Sequence, residues 1–507
     1  MKLMKNFLSL AGAEVISKLV TFAAFAYLAR VAGPAGFGYL EFAGTALFCA
    51  GLIVEQGFGP YGAREIARDP RRTPELVAEI VTARLLLAVI AYAGMIALAV
   101  LFDGAPIVTR LLLIYGASLL LNPLLLQWVF QGHDRMGVVA AAQIIRQTVF
   151  AVVVFIFVRE AGRIWLVAVA EIAAVLSAVV YGVWMYQRRF GDWKARLTVS
   201  SRLFREGSVI GLSQIFWVAR IFGGTLILGF IAWAEDAKDA KDAKDVGYFA
   251  AALRILIAMH AFVYLYYFNL LPSLARTWRD DRGAFTALIN RSMRGLAWLA
   301  AAGGLTWVLM APAVMTGVYG SAFAPAGAAL QALACVCVVA ALSGHYRYGL
   351  IAAGRQNAEA AAAAAGAVVA PISISFGYAR FGLSGASLGL LTAETAVWLI
   401  AWLCGRRMLG LKGHAKLLLR PLLALIPVSI WLWAMPISSA VARTVVGATA
   451  MIGLTLAFDA EARRLAAARI GWLWRRGGDL GVGNEEWRMR IRKSEIGCQE
   501  SERRWRP

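Results

Sequence analysis

Seven cationic side chains stand inside long apolar runs: Lys18, Arg30, Arg84, Arg146, Arg220, Arg254 and Arg347. A charge at mid-bilayer depth costs about 2.5 to 3.5 kcal/mol even on the lenient insertion scale, so such a residue faces a partner or a water-filled cavity. Arg30 lies near a predicted helix end and can snorkel to the interface. Lys18 has Glu14 one turn before it, where a pair at i,i+4 offsets the charge, and the spacing leaves open whether Lys18 is held by Glu14 or lines a cavity. Arg220 follows Gln214 and Trp217 at helical spacing and meets no acid in its run before Glu235, which makes it the foremost candidate for an anion contact. Arg254 precedes His260, Tyr264 and Tyr267 in one run, a grouping of cationic and aromatic groups suited to a polar ligand. For Arg347, flanked by His345, Tyr346 and Tyr348 near a run's end, a headgroup anchor and a substrate contact fit equally well.

Acids and amides accompany these cations. Glu41, Glu55, Glu171 and Glu394 lie in or beside apolar runs, where a carboxylate either neutralises a buried cation or takes up a proton during a transport cycle. Spacing does not choose between these roles, so coupling to a proton or sodium gradient stays open. Gln143, Arg146 and Gln147 share one helical neighbourhood, and Gln127 and Gln131 polarise the end of the preceding run; for the glutamines, locking of neighbouring helices is the favoured reading. The five cysteines make no CxxC pair, the four histidines form no HExxH pattern, and no phosphate-cradling GxxxxGK[ST] loop is present. Neither metal, cofactor nor covalent catalysis is expected, and energy must come from substrate, an ion gradient or downstream use.

The elements that hold these groups follow from composition. Of 507 residues, 60% are hydrophobic and 16% charged, which excludes a water-soluble domain and most disorder. The formal charge of +21 sits largely between apolar runs, a membrane pattern and not a nucleic-acid footprint. Runs near 8–30, 39–59, 78–102, 108–130, 137–158, 164–187, 206–233, 246–271, 295–318, 327–351, 359–379 and 383–404 are long enough to span, and a further pair lies near 416–438 and 443–460. The expected fold is thus all-α and polytopic, with about 14 transmembrane helices; stretches such as AAAAAAGAVVA are apolar on every face and rule against a β-barrel. The basic lead MKLMK runs into an apolar stretch with internal charges and no small-residue cleavage site, and reads as a retained first helix. Of the 51 Lys and Arg, 36 fall on one side of this arrangement and eight on the other, placing both termini in the cytoplasm.

A weak repeat divides the chain. PAGFGYLEFAG aligns with KDVGYFAAALR, matching Gly38 to Gly247, and FQGHDRMGVVAAAQII aligns with AAGRQNAEAAAAAAG, matching Gly132 to Gly354. Both pairs lie six helices apart, so the halves would be parallel copies about an axis along the membrane normal, with a cavity between them. The expected organisation is two pseudo-symmetric six-helix lobes, 1–195 and 196–405, an additional helix pair at 406–460, and a basic cytoplasmic tail at 461–507. Between runs seven and eight, AEDAKDAKDAKDVG inserts a low-complexity DAK repeat, read as either a short helical extension or a flexible loop. An excess of cations between two lobes favours an anionic substrate.

The series ARVAGPAGFGYLEFAG, EQGFGPYGAREIAR, QWVFQGHDRM, VGYFAAALRI, AAGRQN and FGLSGASLGLLTAE resembles bacterial polysaccharide transporters, the flippases of O-antigen and exopolysaccharide lipid-linked oligosaccharides. The resemblance covers roughly residues 8–404 and extends to the broader exporter superfamily of multidrug and lipid II flippases. It implies an inner-membrane protein that alternates between inward and outward exposure. Its substrate would be undecaprenyl-pyrophosphate-linked oligosaccharide, with membrane lipids and polysaccharide polymerase or assembly proteins as further partners. Under it, Arg220 and Arg254 resemble cavity arginines of the second lobe, Lys18 takes the corresponding place in the first, Gly33, Gly36 and Gly38 form the turn into span two, and Gly132, Gly354, Gly382 and Gly385 serve turns or hinges. The alternatives are a multidrug or other lipid exporter, for which central carboxylates would speak, and a structural component of a polysaccharide assembly complex.

Overall fold

The structure, a computed structural model, describes residues 2–101, 106–191, 200–234, 240–411, 413–434, 439–459 and 463–464, with backbone alone at 2–15, 202, 207–214, 233–234, 240–242, 415–416 and 433. The basic tail, the first part of the DAK repeat and the Glu14 and Gln214 side chains lie outside what is described.

With no water in the hydrocarbon to satisfy backbone groups, apolar runs of this length can only close their hydrogen bonds internally. They form α1 (Lys2–Glu55), α2 (Phe58–Arg68), α3 (Thr73–Leu101), α4 (Pro106–Ala117), α5 (Gln127–Gly132), α6 (Met136–Phe157), α7 (Leu166–Phe190), α8 (Ser201–Ala234), α9 (Ala240–Asp280), α10 (Arg282–Tyr319), α11 (Ala326–Ala352), α12 (Gln356–Met408), α13 (His414–Ala434) and α14 (Ala440–Phe458). Among the described residues there is no strand, and eleven stretches are long and apolar enough to cross a membrane. Each predicted run but the fourth lies in the main on a helix. Two pairs are fused: runs one and two share α1, bent at Gly33 (φ 67°) ahead of Pro34, and runs eleven and twelve share α12, bent at Gly382 (φ 58°). Both bends use the positive φ that only glycine adopts without strain.

Run four departs most from expectation. Instead of one helix over 108–130, α4 ends at Ala117, two 3-10 turns occupy Ser118–Leu120 and Asn122–Leu124, and α5 resumes at Gln127. Pro123 lacks the N–H that would continue the ladder. A broken backbone at membrane depth is tolerated only where it is buried in protein or lines a wet cavity. Here it lines a cavity.

Five apolar clusters hold the helices together, of which three place α1 and the last helix pair. One joins α1 to α3, α4, α6 and α7 around Phe42, Leu111, Tyr115, Phe150 and Val167. A second joins Ala29 and Phe37 of α1 to α8, α9, α10, α11 and α12 around Phe249, Tyr319, Phe323 and Leu390. A third packs α13 and α14 on α10 through Trp298, Leu432 and Met451. The helix α1 is therefore common to both large clusters and separates them. The second part of the DAK repeat is helical, being the first turns of α9, which favours the extension over the loop for residues 240–245.

Candidate functional site

Gly33 and Glu55, at the two ends of the second span of α1, mark the two faces of the helical layer. At the Gly33 face α1 and α9 meet at backbone distance: a Cβ on Gly38 would lie 2.3 Å from the Ala243 carbonyl oxygen, and one on Gly247 would lie 1.9 Å from that of Pro34. The two glycines matched by the repeat thus pack against each other. Phe37 continues the seam, with ring centroids 5.8 Å from Phe323 and 6.1 Å from Tyr319. The Arg30 Nε donates to the Val318 carbonyl at 2.9 Å, and its Nη2 to that of Gly317, capping the last turn of α10 where carbonyls are unpaired. Arg30 therefore fixes a helix end instead of reaching for lipid.

Below this seam lies a cavity of about 600 Å³ between the apolar clusters, lined from α1, α4, α6, α7, α8 and α9. Its apolar wall includes Phe25, Phe48, Phe150 and Phe222; the broken run four contributes Tyr115, Ser118 and Asn122. Polar groups concentrate in ion pairs. Arg254 of α9 reaches Glu41 of α1 at 2.6 Å, with its guanidinium carbon 3.4 Å from the Phe25 ring centroid. Arg146 of α6 reaches Glu171 of α7 at 2.6 Å, and the Thr21 hydroxyl donates to Gln147 Oε1 at 2.8 Å. Toward the Glu55 face a second cavity of about 410 Å³ shares Gly51, Glu55, Asn122 and Arg146 with the first and continues past Arg84, Gln127, Trp128 and Gln131. There Arg84 of α3 donates to Glu55. The side chain of Gly59 is absent where a Cβ would stand 2.5 Å from Glu55 Oε1.

Arg146, Arg254, Glu41, Glu55 and Glu171 are thus brought to one connected space. The excess of positive charge is not: each of the three arginines there carries a carboxylate partner, so this space is close to neutral. The other candidates go elsewhere. Arg220 is buried 1% exposed against Glu394 at 0% in the α8–α12 interface, a closed helix contact and not a cavity wall. Glu394, far along the sequence, supplied the acid that its own run lacked. Lys18 is exposed one turn before Thr21 and lines neither cavity. Arg347 pairs with Glu359 at 2.5 Å. Tyr264 is 58% exposed on the outer surface, stacked on Phe268. Tyr267 is buried, its hydroxyl donating to the Ala341 carbonyl and lying 2.7 Å from His345 Nδ1.

Gly132 and Gly354 have different jobs. Gly132 lets α5 pack on α2, where a Cβ would meet the Ala63 carbonyl at 2.8 Å, whereas Gly354 is a left-handed turn residue (φ 72°). The left-handed position between α5 and α6 is Asp134 (φ 56°). The turns match with Asp134 on Gly354: Arg135 N bonds Phe130 O at 2.8 Å as Arg355 N bonds Leu350 O at 2.9 Å. The two turns share this geometry, with Asp134 and not Gly132 standing in the place of Gly354.

Sequence reasoning missed Thr21, Tyr115, Ser118 and Asn122. The adjacent Asn122 and Pro123, inside an apolar run, were the available signal for a broken helix. Among the described residues no group of three or more His, Cys, Asp or Glu is placed to hold a metal ion.

Residues 3–278 match the family model described as polysaccharide biosynthesis protein. The chain is 22% identical over 316 residues, 61% of its length and 74% of the relative's, to the "Putative O-antigen transporter" of Escherichia coli (strain K12). In fold it is similar to the lipid II flippase MurJ in an inward closed conformation, with a TM-score of 0.66, 13% identity and coverage of 89% of this chain and 98% of that one. It is also similar to a multidrug resistance MATE family transporter of the MOP superfamily in an inward-facing conformation, with a TM-score of 0.64, 14% identity and coverage of 80% and 98%. The fold is shared with these two proteins.

Proposed function

The chain belongs to the polysaccharide biosynthesis protein family, and from that premise we propose that it is a multi-pass membrane transporter that moves an undecaprenyl-pyrophosphate-linked oligosaccharide from the cytoplasmic to the periplasmic leaflet of a bacterial inner membrane. The observation that carries this reading is the cavity of about 600 Å³, in which Arg254 and Arg146 are held by single carboxylates between apolar walls. A pyrophosphate entering it competes with Glu41 and Glu171 for charge-assisted hydrogen bonds that guanidinium makes equally well to phosphate.

The mechanism is alternating access. Splitting the two 53-residue stretches at Gly33 and Gly382 and counting the shorter apolar helix Leu417–Leu432 supports a count of fourteen spans, under which both termini would lie on one side. The cation-rich connections lie at the Glu55 face, making it cytoplasmic. The Gly38–Gly247 seam then closes the periplasmic face, and the second cavity leads toward the cytoplasm. Two six-helix lobes, 1–195 and 196–405, rock about the site, with α13 and α14 attached to the second. Carboxylates released from Arg254 or Arg146 by substrate are the groups on which a proton or sodium gradient would act.

A second reading, export of cationic molecules, draws on Glu41, Glu55 and Glu171 in the cavities. All three already bear a guanidinium, so a cation would have to displace an arginine just as an anion displaces a carboxylate; the match to the polysaccharide biosynthesis family supports the first reading over this one. The deciding experiment reconstitutes the protein in liposomes and measures exposure of lipid-linked oligosaccharide in the outer leaflet. Translocation dependent on Arg254 is expected; no translocation, with efflux of lipophilic cations instead, reverses the choice.

A further inference from the structure

The second cavity has a chemistry of its own. Of its charged members, Arg84 and Glu55 neutralise each other and Arg146, shared with the central cavity, is held by Glu171; the remaining polar wall is made of amides: Asn122, Gln127 and Gln131. Beside them stands Trp128. Three donors on residues of this wall are buried and have no acceptor: Arg84 Nε, Trp128 Nε1 and Arg146 Nε. A buried donor left unmatched costs about 1 to 3 kcal/mol, and three of them along one cavity are groups that an acceptor-bearing ligand or a water could satisfy. The carboxylate of Glu55, 40% exposed at its side chain, argues against an anion in the same space and offers an acceptor for hydroxyl protons. Amides that both donate and accept, one half-exposed carboxylate and arginines each already held by an acid fit a neutral polyol. A volume of about 410 Å³ falls in the range of small-molecule sites, about 300 to 1,000 Å³.

We propose that this cavity, on the Glu55 side of the central one, is a separate saccharide subsite that binds the sugars of the lipid-linked substrate while the arginines of the central cavity bind its pyrophosphate. Gln127 and Gln131, four residues apart on α5, reach the sugar hydroxyls; Gly59 leaves room for the Arg84–Glu55 pair in the wall, since a Cβ there would meet Glu55 Oε1 at 2.5 Å and Arg84 Nη2 at 3.1 Å. Sharing of Arg146 and Asn122 by both cavities puts sugar and phosphate in adjoining spaces, as a glycosyl pyrophosphate requires. The inference rests on the transport reading above and adds to it the place of the glycan.

The test measures binding to the full-length protein in nanodiscs with two probes, undecaprenyl pyrophosphate and the undecaprenyl-pyrophosphate-linked oligosaccharide extracted from a polysaccharide-producing strain. For the parent, the glycan-bearing lipid should bind at least tenfold more tightly. The Gln127→Ala/Gln131→Ala variant, which alters one half-buried and one exposed side chain, should lose at least tenfold in affinity for the glycan-bearing lipid and less than twofold for the bare pyrophosphate. Arg254→Ala should weaken both. Equal affinity of the parent for the two lipids, or equal losses on both in the glutamine variant, overturns the subsite and leaves the transport reading intact. Failure of the parent to bind either lipid overturns the transport reading and the subsite with it.

Discussion

At the scale of single residues, two arginines that look alike in sequence have opposite fates. Arg254 faces open space with Glu41, so removing its guanidinium takes away a substrate contact; Arg220 is sealed against Glu394, so removing it strands a carboxylate in the protein interior. Breaking a buried pair by truncating one partner costs about 3 to 5 kcal/mol, whereas replacing both partners with apolar groups is often neutral. Arg220→Ala should therefore lower the thermal midpoint and the yield of folded protein in detergent, and Arg220→Met/Glu394→Leu should restore both, along with transport. Arg254→Gln/Glu41→Gln should fold normally and still lose transport by tenfold or more, because neutralising Glu41 does not return the anion contact. Restored transport in that double variant would make the Arg254 pair structural. His133 extends the contrast to pH. Outside the spans, its ring packs 4.5 Å from Phe190 with Nε2 2.9 Å from the Thr73 hydroxyl, and burial pushes its pKa below the ordinary value of 6.5. Below pH 6.5 the unfolded chain takes up a proton that the folded ring resists, so stability falls as pH drops through that value. Thermal unfolding between pH 7.5 and 5.5 should show a larger loss for the parent than for His133→Gln.

At the scale of elements, the Gly38–Gly247 crossing is set by two missing side chains. Adding a methyl at Gly247 places it 1.9 Å from a backbone carbonyl, which no rotamer change relieves. Gly247→Ala should therefore hold α9 away from α1 at the Gly33 face, and spin-label distances across that seam should lengthen while helix content is unchanged. A seam that closes normally in the variant would mean that the crossing tolerates a shifted register. Apolar length and charge placement made nearly every helix legible in sequence, because bilayer thickness and backbone satisfaction leave a spanning segment few choices. What escaped was long-range: no local pattern announces that Glu394 lies on Arg220 or Glu41 on Arg254, partners 174 and 213 residues apart. Matching by residue type likewise pairs Gly132 with Gly354, whereas the left-handed turn between α5 and α6 is carried by Asp134.

At the scale of the whole molecule, the two faces are closed by contacts of different strength. The Gly33 face joins at backbone distance, with an aromatic seam and the Arg30 cap on α10. The Glu55 face joins α2 to α8 through the half-exposed Arg64–Glu206 pair and the Phe58–Phe204 edge contact at 5.4 Å. An exposed ion pair contributes about 0 to 1 kcal/mol, so the Glu55 face is the one that thermal motion opens first, and it is the face toward which the second cavity leads. If transport proceeds by rocking, tying that face shut must stop it even though no residue of the central cavity is touched. In a background with the five cysteines replaced, Arg64→Cys and Glu206→Cys joined by a short cleavable bismaleimide should leave less than a tenth of the transport, and cleavage of the linker should recover it. Arg64→Ala alone should change transport less than twofold, separating loss of the pair from loss of movement. Full transport in the linked protein would mean that substrate passes without α2 and α8 parting, and a lateral route between α1 and its neighbours would have to take the place of alternating access.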